Sequence, residues 1–219
     1  MSKQFLVVGL GQLGSVVAEN LHFLGHEVLA IDHRKDIVQA LSDDLPDVDL
    51  VTADATDEDV LKELGVDQFD GAVVAIGGNA QASTLVTLAL KDMGLETVVA
   101  RADSPIHVRL LRKVGADRIV EPEREIGEQV ARSVVSPGIM GYVDLGEDEA
   151  LIEAEVPEKW VDKTLADLRL ADEGLAVVAV RRKGEGGRIP KGDTKLEKGN
   201  VIVVGGPKDK LDELDLFQE

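Results

Sequence analysis

The sequence predicts an α/β protein in which a doubly wound parallel sheet is followed by a small α+β domain. Three observations predict it. Between Phe5 and Val120, short β-branched clusters alternate with longer stretches of helical period. Several of those clusters are apolar on both faces, as strands of a parallel sheet covered by helices must be. From Tyr142 onward the pattern changes to strands separated by glycine turns.

The elements follow in order. Phe5 to Gly9 reads as a strand, Gln12 to Leu24 as a helix, Glu27 to Ile31 as a strand and Arg34 to Ser42 as a helix. Leu50 to Ala53 is the third strand and Glu58 to Leu64 the third helix. Gly71 to Ile76, Thr97 to Ala100 and Arg118 to Val120 complete six strands, with helices over Ala80 to Met93 and Pro105 to Val114. Phe5-Leu6-Val7-Val8 and Ala72-Val73-Val74-Ala75 have no polar face, which suits buried strands. A further helix, Glu125 to Val135, is closed by Ser136-Pro137-Gly138, where proline and glycine end a helix and mark a boundary. Domains over 1–138 and 139–219 are therefore expected. In the second, Leu151 to Val156, Leu175 to Arg181 and Asn200 to Val204 read as strands, with short helices at Thr164 to Leu168 and Lys208 to Leu214. Gly184-Glu185-Gly186-Gly187 reads as a loose hairpin tip.

Composition removes several function classes. Apolar residues make up 44% of the 219, enough for a core, and no run approaches the roughly 20 apolar residues of a membrane span. Met1-Ser2-Lys3-Gln4 leads straight into the first strand cluster without the pattern of a secretory signal, so a cytosolic location is expected. There is no cysteine, hence no disulfide and no thiolate chemistry. A net charge of -18 opposes binding to a phosphate backbone, and four Phe, one Trp and one Tyr do not make a base-stacking platform. Nucleic acid is not an expected partner. The same acidity serves solubility and can gather cations.

The strongest local signal is Gly9-Leu10-Gly11-Gln12-Leu13-Gly14, placed after a strand and at the start of a helix. Gly9 permits a tight turn, Gly11 lets backbone amides approach a diphosphate, and Gly14 lets helix and strand pack closely. The helix N-terminus beyond supplies unpaired N–H groups and partial positive charge. Asp32 ends the second strand 18 residues after Gly14, where a carboxylate can accept both ribose hydroxyls. Together they predict a Rossmann-like nucleotide site. A carboxylate at that place repels a 2′-phosphate and disfavours NADP, a preference His33 and Arg34 can soften; NAD, ADP and ATP all keep the free ribose.

Three further segments belong at the carboxyl edge of the sheet. In Asp54-Ala55-Thr56, Asp54 or Thr56 meets the adenine edge, or else Thr56 or Asp57 caps the next helix. Ala75-Ile76-Gly77-Gly78-Asn79 lies against ribose and phosphates, or is a turn with Asn79 as helix cap. Arg101 reaches phosphate as a forked cation or pairs with a surface carboxylate. No HExxH, GxSxG or P-loop pattern occurs, and His22, His26, His33 and His107 do not form an acid–base pair. Binding without catalysis is the simpler account. A small NAD-dependent oxidoreductase is the competing one, and a redox-sensing repressor lacks its winged-helix segment.

The chain resembles the RCK (regulator of K⁺ conductance) proteins of the TrkA and KtrA type. In the first part the resemblance lies in Phe5 to Gly14, Val28-Leu29-Ala30-Ile31-Asp32, Asp54-Ala55-Thr56, and Gly115-Ala116-Asp117 with Glu121-Pro122-Glu123. In the second, Asp162-Lys163-Thr164-Leu165, Leu175 to Val180, Arg188-Ile189-Pro190 and Leu196 to Gly205 are similar to the TrkA-C domain.

That resemblance implies a regulator without turnover. Family members form homodimers and tetrameric or octameric rings beneath a membrane K⁺-translocating subunit of the TrkH or KtrB type, on the inner face of the cell membrane. They bind NAD(H), ADP or ATP at the Rossmann edge, and ligand exchange alters the ring and hence ion flux. By the same resemblance Glu123 helps a monovalent or divalent cation bridge phosphates across a dimer interface, or is simply a carboxylate at a helix N-terminus. Some relatives bind cyclic di-AMP in the C-terminal dimer interface, near which Leu168, Arg169 and Leu170 would fall; packing with a surface arginine is the alternative. Where ATP-sensing members often carry arginine in the glycine motif, this chain has Gln12, which brings no charge to a terminal phosphate. Which adenine nucleotide binds therefore stays open.

Overall fold

The computed structural model describes residues 2–135, 138–146, 148–182 and 184–214. It divides into two compact units, Met1–Glu123 and Arg124–Glu219. Ser136 and Pro137, part of the expected boundary, lie outside the described residues.

The first unit runs β1 (Gln4–Val8), α1 (Gln12–Phe23), β2 (Glu27–Asp32), α2 (Lys35–Leu41), β3 (Asp49–Thr52) and α3 (Glu58–Glu63). It continues with β4 (Gly71–Val74), α4 (Ala80–Asp92), β5 (Val98–Arg101), α5 (Pro105–Lys113) and β6 (Arg118–Val120), and ends in the first residues of α6 (Pro122–Val135). The six strands pair in the order β3-β2-β1-β4-β5-β6, all parallel. Alternate residues of the central strands enter two cores, one on each face. Leu6, Val8, Ile31 and Val74 pack with Leu61, Leu90 and Leu111, while Val7, Val28 and Ala30 pack with Ala18 and Val38. This is why the strands read as apolar on both sides.

The strand order creates the place for a site. From β1 the chain runs outward through β2 to β3 on one side, then crosses from β3 to β4 on the other side of β1, so a crevice opens at the carboxyl ends of β1 and β4. Register levels those ends: Val8 stands opposite Ile31 in β2 and Val74 in β4. Gly9, Asp32 and Ala75 therefore emerge side by side, with Gly9 N donating to Ile31 O (2.8 Å) and Ala75 N to Val8 O (2.8 Å).

In the second unit β7 (Ile139–Gly146), β8 (Glu149–Glu155), β10 (Asn200–Pro207) and β9 (Ala176–Arg182) pair antiparallel in that spatial order. Two short helices, α7 (Leu165–Leu168) and α8 (Lys208–Glu213), complete it. Ala150, Ile152 and Ala154 alternate inward along β8 and meet Trp160, Leu196, Ile202 and Leu211 in one core. A capping box of Thr164 and Asp167 starts α7. β7 was not expected as a strand. It is an edge strand with most side chains exposed, glycine at 141 and 146 and two register shifts against β8, so it shows no buried alternation. Among the described residues no helix is long and apolar enough to cross a membrane.

Candidate functional site

The glycine turn is shaped by what its neighbours leave room for. Gly9 has φ +93°, and a Cβ there would stand 3.0 Å from Ile76 N. Gly14, buried in the first turn of α1, would place a Cβ 1.8 Å from the Gly9 carbonyl oxygen. Both glycines are thus required by the turn itself. Gly11 is different: with φ -69° and nothing within 4 Å of its missing Cβ, no protein atom calls for glycine. It caps α1 without a side-chain acceptor, so no side chain at the cap takes up the helix's first N–H groups.

Asp32 ties this turn to β2. Only 6% exposed, it accepts from Leu10 N through Oδ2 (2.8 Å) and from Arg34 N through Oδ1 (2.9 Å). His33 Nδ1 and Arg34 Nε lie 3.4 and 3.9 Å from Oδ1. Each carboxylate oxygen keeps a lone pair for a further donor.

Around the turn is a cavity of about 760 Å³, within the range of small-molecule sites. Gly9, Gly11, Asp32 and His33 line one side and Asp54, Ala55 and Thr56 another, with Ile76, Gly77, Asn79 and Arg101 completing it. These eleven sequence-derived candidates are brought together. Gln12, Leu13 and Gly14 are not in the lining; they form the helix turn behind it. Arg34, Gly78 and Val86 also line the cavity. Val86 carries no motif, and only the packing of α4 on the sheet brings it there.

The helix caps are settled by geometry. Asp57, not Thr56, caps α3, its side chain accepting from Asp59 N (3.0 Å). Asp54 Oδ1 instead accepts from the Thr56 hydroxyl (2.7 Å) and Thr56 N (3.0 Å). Asn79 both caps α4, accepting from Ala82 N (3.0 Å), and lines the cavity. The hydroxyl and then the N–H of Thr56 hold the Asp54 carboxyl below its ordinary range. A depressed carboxyl lends stability at pH above its unfolded value, and that stability is lost as pH falls through the folded value. Thr56→Val is therefore expected to raise the Asp54 titration toward that of a free aspartate, as read from its carboxyl carbon by NMR.

At the other end Arg101 pairs with Glu123 and lies 3.2 Å from Asp103 Oδ1. Asp103, missed in the sequence, also accepts from Gly78 N through Oδ2 (2.8 Å) and so fixes the loop after β4. Its own N–H donates to Nδ1 of His107 (3.3 Å), a fully buried packing residue whose burial disfavours protonation. Among the described residues no group of three or more His, Asp or Glu is assembled for a metal ion.

The arrangement fits an adenine dinucleotide or diphosphate: acidic acceptors for a ribose at one end, an open glycine and helix N-terminus in the middle, a guanidinium at the other. Residues 5–122 match the TrkA-N domain and residues 151–217 the TrkA-C domain. The chain is 35% identical over 208 residues to the Ktr system potassium uptake protein A of Bacillus subtilis, covering 94% of this chain and 93% of that one. It is 37% identical over 210 residues to the protein of the same name from Vibrio alginolyticus, covering 95% and 94%. Among solved structures the GsuK channel superposes with a TM-score of 0.73 at 20% identity, over all of this chain and 40% of that chain. The NAD-bound GsuK channel gives 0.70 at 18%, over 99% and 39%. Those likenesses establish the fold. With both domain models matched in order and over a third of residues shared along nearly the full length of the Ktr proteins, the chain belongs to the RCK family, in its TrkA/KtrA branch.

Proposed function

We propose that this chain is a cytosolic nucleotide-binding regulatory subunit that gates a membrane K⁺ uptake transporter through a ligand-dependent change in the shape of a ring of copies. The nucleotide-binding domain is taken as 1–138 and the regulatory domain as 139–219. One observation above all supports this reading. A chain that shares both domains with the Ktr uptake proteins places an open glycine turn, the buried Asp32 carboxylate and Arg101 around a single cavity. Gly9, Gly11, Asp32, His33, Asp54, Ala55, Thr56, Ile76, Gly77, Asn79 and Arg101 contact the ligand in this reading, and Gln12, Leu13 and Gly14 hold the helix turn that receives its phosphates.

The ligand is NAD(H), ADP or ATP, and its role is to bind one ring geometry better than another without being turned over. A small preference per site is multiplied across the copies of a ring. The partner is a K⁺-translocating subunit of the TrkH or KtrB type, and attachment to it places the ring at the inner face of the membrane. A cation shared between Glu123 and phosphates across a dimer, and cyclic di-AMP near Leu168, Arg169 and Leu170, are further parts of the same reading.

Calorimetric titration of the purified chain with ATP, ADP, NADH and NAD, with light scattering for assembly state, tests the first half. K⁺ flux into vesicles carrying a Ktr-type membrane subunit, with and without the chain and its ligand, tests the second. A chain that binds none of the four, or whose addition leaves flux unchanged in every ligand state, overturns the proposal.

A further inference from the structure

Arg101 is the cation at the phosphate end of the cavity, and in this chain it is already engaged. Its Nη2 lies 2.5 Å from Glu123 Oε1 and its Nε 3.2 Å from Asp103 Oδ1. The two carboxylates are not equivalent. Asp103 also holds Gly78 N, so it is anchored to the backbone of the loop. Glu123, in the first turn of α6, is 67% exposed, and its ion pair with Arg101 reaches it across open surface.

The guanidinium is also poorly satisfied where it stands. Its Nε–H is buried and meets no acceptor in hydrogen-bond geometry, although Asp103 is near. It fits against the loop because residue 77 has no side chain; a Cβ there would lie 2.5 Å from Nη1. The group thus lines the cavity, stands against the loop after β4, and is held by one anion anchored to the backbone and one on an exposed side chain.

A diphosphate entering the cavity would bring a third anion to this one guanidinium. Phosphate and carboxylate both match the guanidinium fork, so either can occupy its outer edge. Ion pairs with an exposed partner contribute little net stability, so Glu123 can be displaced at small cost. We propose that Glu123 and the ligand's diphosphate compete for Arg101, so that binding exchanges the Glu123 carboxylate for phosphate oxygens and frees the first turn of α6. Glu123 is then a specificity-determining residue. It lowers affinity for phosphate-bearing ligands and leaves the nucleoside end of the site untouched. This inference rests on the nucleotide reading of the cavity.

The test is a double-mutant cycle on the full chain, in chelator and a buffer of bulky organic cations free of Na⁺ and K⁺, so that no metal cation can bridge phosphates to Glu123. ADP, NAD and adenosine are titrated calorimetrically into the parent chain, Glu123→Gln, Arg101→Gln and the double variant. Glu123→Gln is expected to tighten ADP and NAD by about two- to fivefold, the range an exposed ion pair spans, and to leave adenosine unchanged. Arg101→Gln is expected to weaken ADP by about tenfold, and in that background Glu123→Gln should no longer matter. Unchanged or weaker ADP binding by Glu123→Gln overturns the exchange. So does an equal gain in both backgrounds, which is repulsion alone. If ADP and NAD bind the parent chain normally in those cases, the nucleotide site stands and the exchange fails. If neither binds at all, both fall together.

Discussion

Gly14→Ala is expected to lose about 3 kcal/mol or more of stability and to fail to bind nucleotide, whereas Gly11→Ala in the same motif should fold almost normally and still lose binding. The contrast comes from the two surroundings. A Cβ on Gly14 would stand 1.8 Å from the Gly9 carbonyl oxygen, 2.9 Å from its carbon and 3.2 Å from the Ala75 Cβ. Two of those atoms are backbone and cannot rotate away. Helix α1 must then lift from β1 and β4, or the turn at Gly9 must open, and either motion disturbs the crevice. Gly11 has no protein atom within 4 Å and a φ that alanine adopts freely, so its cost is that of a poorer helix cap, about 1 kcal/mol or less. In the proposed site, what the added methyl at 11 would meet is the ligand's diphosphate. Denaturant unfolding of both variants beside calorimetry separates the two roles. If Gly11→Ala binds like the parent chain, the phosphates do not lie over that turn.

The parts of this site that were legible in the sequence are those fixed by local geometry. Gly9, Gly11 and Gly14 stand at set spacings between a strand and a helix, and Asp32 ends the next strand, so each role follows from position alone. What was not legible depends on strand order. β5 and β6 are neighbours with Arg101 opposite Val120, and this brings Glu123 to a guanidinium 22 residues away. Asp103 is placed in the same way, since its bond to Gly78 exists only because β4 lies beside β5. Asp103 sits among many acidic side chains, and nothing in its spacing singles it out; Glu123 is named through the family resemblance, but not as the partner of Arg101. β7 escaped for a different reason: an edge strand with exposed alternate residues and two glycines has no periodic signal. Asp57 and Thr56 were indistinguishable as caps until backbone geometry chose Asp57.

Asp32→Ala is expected to weaken ADP, ATP and NAD by about a hundredfold, the equivalent of about 2.7 kcal/mol and within the range of charge-assisted hydrogen bonds. Part of any loss is indirect and must be separated. The carboxylate also accepts from Leu10 N, and Leu10 is buried, so truncation strands a donor and loosens the glycine turn at a cost of about 1–3 kcal/mol. A merely structural role would penalise every ligand alike. Direct contact with the ribose makes a sharper demand: 2′-deoxy-ADP should bind the parent chain more weakly than ADP does, and the two should bind Asp32→Ala equally. A 2′-phosphate gives the converse reading, because removing the carboxylate leaves His33 and Arg34 beside the ribose edge without their anion. NADP should therefore gain on NAD in the variant, by about tenfold, as one repulsive pair gives way to an attractive one. If the deoxy and ribo ligands remain distinct in Asp32→Ala, the hydroxyls are recognised elsewhere, and Asp32 serves the turn alone.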